Sequence, residues 1–179
     1  MFTRSRLLAT TLLLTLLLSG CGEVITESDL IGTGGGSPRQ VVESFLEDLN
    51  SALNDPELTS VEVRQAWAER LSGHFTPSER DDQQAILGDM LRRFVISTTN
   101  PALGARATLE VSFSVTELVE QQEERALVRV VDGLLTLRFY SERGELLRER
   151  SNSLSTLIGL TGDRLPTQRV GGRWFMTEG

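Results

Sequence analysis

A chain of 179 residues that is 39% hydrophobic and 24% charged can bury one ordinary core and is short for two domains. Its 18 positive charges are all arginine and stand against 25 acids, a net −7 that argues against a nucleic-acid partner, because phosphates are met by clustered basic side chains. With one histidine and one cysteine there is no zinc-ligand set and no internal disulfide, so neither a metal, a cofactor nor thiol catalysis is expected.

The chain opens with two arginines by residue 6, then an unbroken run of Leu, Ala and Thr from Leu7 to Leu18, then Ser19 and Gly20. These are the parts of an export signal. The run falls short of the roughly 20 apolar residues that cross a bilayer, and the Ser-Gly-Cys-Gly segment after it cannot extend it. The tetrapeptide Leu18-Ser19-Gly20-Cys21 resembles the lipobox of bacterial lipoproteins, which implies that Cys21 is diacylglycerated and becomes the mature N-terminus. Two or three acyl chains would hold the protein on the extracytoplasmic face of a cell membrane, where one chain binds only marginally. Loss of residues 1–20 removes two arginines and leaves the mature chain at −9. That charge is uneven: residues 21–100 hold 6 Arg and 14 acids, residues 101–179 hold 10 Arg and 11 acids. Acidic surface of this kind is expected to be solvated and kept from anionic headgroups.

Residues 21–37, with glycines at 32, 34, 35 and 36 and no sustained apolar period, read as a lipidated N-terminus and flexible tether. A single domain is expected over 38–179. Ser37-Pro38 is a helix start, followed by Val41, Val42, Phe45, Leu46, Leu49 and Leu53 at helical spacing. A second, shorter helix is expected from about Ser60 to Leu71, with Val63, Ala66, Trp67, Arg70 and Leu71 on one side. A third starts near Pro77 and carries Ile86, Leu87, Met90, Leu91, Phe94 and Val95 as its stripe; Asn100-Pro101 ends the helical period.

From Ala107 to Thr116 the period is two, with Leu109, Val111, Phe113 and Val115 on one face. Residues 126–140 form a second extended run whose apolar parity changes at Asp132-Gly133. A bulge there, in one long bent strand, is favoured over a hairpin turn. Residues 145–157 form a third strand, 165–170 a fourth, and Gly171-Gly172 turns into the closing strand 173–177. Helices followed by long strands give an α+β plan: three N-terminal helices packed in the concave face of a curled, mostly antiparallel sheet of four to five strands.

This order, with Pro38-Arg39-Gln40-Val41-Val42-Glu43-Ser44-Phe45-Leu46 at one end and Val170-Gly171-Gly172-Arg173-Trp174-Phe175 at the other, resembles the nuclear transport factor 2-like superfamily. The resemblance implies a cone of sheet wrapped over the first helix. Its enzymes, isomerases and cyclases among them, use an acid or base inside the cone, and an apolar site of this kind keeps a carboxylic acid protonated in ketosteroid isomerase.

No catalytic residue is identified. His74 reads as a surface or capping residue between two helices, Asp132 as turn chemistry, and Tyr140 as an amphipathic ring at a strand end. Arg148, Arg150 and Asn152, with Tyr140, are the candidate polar pocket able to hold an anion; an exposed, charge-protected edge is the alternative for the same strand. Thr108, Ser112, Ser114 and Thr116 offer a flat face for a homodimer or for solvent. Trp67 and Trp174 read as core. These features point to a membrane-tethered, non-enzymatic module that binds an unidentified protein or small molecule. A lipid-anchored isomerase, dehydratase or cyclase is the alternative, and a passive subunit of an envelope complex is the third reading.

Overall fold

Ser37, extended at φ −143°, accepts the Gln40 N–H at 3.2 Å, and Pro38 takes the first helical position, where a missing donor costs nothing. The computed structural model describes residues 34–99, 106–154 and 163–178, and the helix that begins here is α1 (Pro38–Leu53). Its predicted stripe, from Val41 through Phe45 and Leu49 to Leu53, is buried throughout. At about 1.5–3 kcal/mol per large apolar side chain, that stripe is the main attachment of the helix to the rest of the body. Two further helices follow, α2 (Val61–Ser72), capped by Ser60, and α3 (Arg80–Thr98). They pack against each other, with Gly88 facing Ala68 closely enough that an added methyl would reach contact distance. The α3 stripe is only partly used: Leu87 and Leu91 are buried, whereas Ile86 is 55% exposed and Met90 and Phe94 are half-buried.

The described strands number seven, in two antiparallel sheets, where one sheet of four to five was expected. They are β1 (Arg106–Ser112), β2 (Val115–Gln121), β3 (Arg125–Val131), β4 (Leu134–Tyr140), β5 (Leu146–Ser153), β6 (Arg164–Val170) and β7 (Arg173–Met176). One sheet has the order β1-β4-β5, the other β2-β3-β6-β7. The two long strands expected over 107–116 and 126–140 each break and serve both sheets.

Both breaks fall at the same level. Ser112 faces Leu134 and Val115 faces Val131, so two residues intervene on each strand and the register carries through. Inward parity therefore flips on both strands together, from Leu109 and Val111 to Thr116, and from Val128 and Val130 to Leu135 and Phe139. This corrects the expected bulge at Gly133: neither strand has an extra residue there, and no hairpin reverses the chain. Asp132 instead adopts φ 52° and accepts the Ser114 hydroxyl at 2.9 Å. Single extra residues occur elsewhere, at Val119 in β2 and Leu147 in β5.

α1 is the helix that lies across the strands, touching β1 of one sheet and β2, β3, β6 and β7 of the other. Of the three helices expected on the sheet, α1 is the one in extensive contact with the strands among the described residues. The flat polar face expected on the first strand is also interrupted. Thr116 is buried against α1, where its hydroxyl donates to Glu43 and accepts from Arg39 Nε at 3.2 Å.

Among the described residues, two of the four sheet edges are covered. Asn54 Nδ2 donates to Leu109 O at 2.7 Å and Asn50 Oδ1 accepts the Val111 N–H at 3.0 Å, so the end of α1 satisfies the outer edge of β1. Gly35 exchanges both backbone bonds with Trp174, at 2.7 and 2.8 Å, and the 74–76 segment bonds to Met176 on the same edge of β7. Residues 34–37 consequently belong to the folded body, and the expected tether gives up its last four residues to it. β5 is exposed along its whole length, and β2 is exposed except at Thr116.

Candidate functional site

The half-used stripe of α3 faces the three-stranded sheet across an open groove of about 860 Å³. Ile86, Met90 and Phe94 form one wall; Leu109 of β1 and Leu135 and Leu137 of β4 form the other. Asp89 and Arg93 stand at the α3 rim, ion-paired to each other one helical turn apart, and Asn152 stands on the β5 side. Smaller depressions lie between α2 and α3, about 410 Å³, and over the β2–β3 end, about 300 Å³. The larger groove is the candidate site because its walls are apolar and come from three separate elements.

The register fixes what reaches its β5 rim. Asn152 pairs with Leu135, Arg150 with Leu137 and Arg148 with Phe139, so all three project from the same face of the sheet as the groove wall. They are exposed, as expected for an edge strand. Tyr140 is one residue on from Phe139 and faces the opposite side, with the Arg106 guanidinium 5.0 Å over its ring. The four residues expected to line one polar pocket are therefore divided, three on the groove side and Tyr140 behind the sheet. Behind the sheet too, Arg138 donates to Glu149 at 2.6 Å and pairs with Glu110, and the two carboxylates hold its guanidinium above its ordinary pKa.

Sequence reasoning missed a second polar cluster, buried between α1, α2 and the turn after α2. His74 is 2% exposed, and its Nε2 lies 2.9 Å from Asp48 Oδ2; Arg70 Nη2 lies 2.7 Å from Asp48 Oδ1. Burial of Asp48 favours its neutral form, but the hydrogen bonds from His74 and Arg70 outweigh this and hold the carboxyl below its ordinary 3.8. Nε2 is thereby the donor nitrogen of the imidazole, while Nδ1 is buried without a partner among the described residues. Phe45 packs edge-on to the ring at 5.9 Å, and His74 O accepts the Met176 N–H at 2.8 Å. His74 is thus a structural pin between α1 and β7, not the surface residue expected. The available signal was Asp48 itself, a charge set one turn from both Phe45 and Ala52 on the buried face of α1.

Asp132 occupies the strand bend already described. Trp174 is buried, and Trp67 is half-buried with its Nε1 donating to Asp55 at 2.7 Å. Cys21 lies outside the described residues. Among the described residues, no group of three or more His, Cys, Asp or Glu is placed to hold a metal ion, and no helix is long and apolar enough to cross a membrane. Comparison with protein-family models and with curated proteins finds no match to this chain.

Proposed function

We propose that the chain is a lipid-anchored extracytoplasmic binding module, held to the membrane through Cys21 and using the groove between α3 and the β1-β4-β5 sheet to take a ligand with an apolar body. The observation that carries this reading is the groove itself: Met90, Phe94, Leu135 and Leu137 present apolar surface to one another across open space. Helices preceding strands, α1 lying across both sheets and the shared bend support kinship with the nuclear transport factor 2-like superfamily. The acid-base alternative is weaker. Its best-formed pair, His74 and Asp48, is committed to Arg70 and to holding α1 against the 74–76 segment.

The address has a direct test. Cys21→Ser should leave the precursor uncleaved by lipoprotein signal peptidase and without acyl mass; normal cleavage with membrane retention would refute the anchor. For the groove, the full chain in phosphatidylcholine vesicles should be labelled on α3 and β4 by a photoactivatable long-chain alcohol. Phe94→Arg should reduce that labelling about tenfold by placing a charge in the apolar wall. Labelling confined to other elements would refute the binding site.

A further inference from the structure

The groove has an asymmetric rim. On α3 both neighbouring arginines are ion-paired, Arg93 Nε lying 2.5 Å from Asp89 Oδ2 and Arg92 Nη2 2.5 Å from Asp89 Oδ1. On β5, Arg148 and Arg150 stand on the groove side and make no ion pair with any described residue. Glu149, the acid between them in sequence, points to the other face and is held there by Arg138 at 2.6 Å. Strand alternation has therefore placed two guanidinium groups on one side and their neighbouring carboxylate on the other. Arg150 is the cross-strand partner of Leu137, a residue of the groove wall, so a cation without an ion pair among the described residues stands on the same face as that wall. In a chain of net −7, two arginines on the groove-facing side of β5, beside the Asn152 that lines the groove and without an ion pair among the described residues, are a local reversal of sign.

Resting on the reading of the groove as a binding site, we propose that its ligand is a long-chain fatty acid, with the carboxylate at Arg148 and Arg150 and the alkyl chain along Leu137, Leu135, Met90 and Phe94. Guanidinium is the side chain suited to a carboxylate, because its planar donors match the two oxygens. An uncharged chain would gain the walls alone. Asn152, next along β5 on the same face, adds an amide donor at the groove. The groove's volume of about 860 Å³ is in the range that accepts an extended single chain.

The test compares two photoactivatable probes of equal chain length, a carboxylic acid and its alcohol, on the full chain in phosphatidylcholine vesicles. The acid should label α3 and β4 about tenfold more than the alcohol, the combined effect of two exposed charge pairs. In Arg148→Glu/Arg150→Glu the acid's advantage should vanish, while labelling by the alcohol is unchanged and reports an intact groove. If that variant also loses alcohol labelling, the acid-to-alcohol ratio in the unmodified chain decides. Equal labelling by acid and alcohol in the unmodified chain, or an acid preference that survives the double substitution, overturns the fatty-acid assignment and leaves the groove standing. Failure of both probes to label α3 and β4 overturns the groove as well.

Discussion

Asp48→Ala should cost about 3 kcal/mol of stability, measured by urea unfolding, because it leaves both ring nitrogens of a buried imidazole without a partner. Arg70→Ala should cost about 1 kcal/mol or less, since that guanidinium is 41% exposed and water replaces its partner. The pH dependence follows from the sign of the Asp48 shift. Its folded pKa lies below the ordinary 3.8, so the stabilisation is complete above that value and is lost as pH falls below it, through the folded pKa. Acid unfolding of Asp48→Ala should lack that share of the loss and fall less steeply between pH 4 and the acid limit, values set by the ordinary carboxyl range at about 4. Equal steepness in the two proteins, or equal costs for Asp48→Ala and Arg70→Ala, would show that the carboxylate does not pin His74.

Gly34→Ala should detach the N-terminal segment from β7 at a cost of about 2–3 kcal/mol. Gly34 has φ +78°, and a Cβ there would lie 2.6 Å from both the Trp174 carbonyl and the Phe175 ring. The backbone oxygen cannot step aside without breaking the reciprocal Gly35–Trp174 pair. Gly36→Ala is the internal control: its Cβ would meet only Gln40 Oε1, 3.1 Å away, and shifting that side chain costs at most its exposed hydrogen bond from the Gly36 N–H. Hydrogen exchange gives the readout, as the Gly35 amide, bonded to Trp174 O, should lose protection in Gly34→Ala and keep it in Gly36→Ala. Retained protection in both would mean that the segment accommodates a side chain at Gly34.

The helices were legible because their signals are local. Ser37-Pro38 marks a start within two residues, and the α1 stripe from Val41 to Leu53 is buried as its spacing demands. The strand bend was half legible. A parity change at Asp132-Gly133 is visible in one strand, but its meaning depends on the partner strand flipping at Ser114, 18 residues before Asp132, and register is a property of the pair. His74 was misread for a similar reason: Asp48, which explains its burial, is 26 residues away on α1. The groove could not be read at all. Ile86, Leu87, Met90, Leu91, Phe94 and Val95 form one continuous stripe in sequence, and only tertiary packing divides it into a buried part, Leu87 and Leu91, and a part facing the sheet.

The division of that stripe is what the functional account depends on, and methyl NMR of the full chain tests it most directly. On addition of a long-chain fatty acid, the methyl signals of Met90, Leu109, Leu135 and Leu137 should shift together, while those of Leu46 and Leu49 in the α1 core stay in place. Shifts confined to the exposed β2 residues Val115, Leu118 and Val119, or no shift at Met90 and Leu137 at saturating ligand, would contradict it.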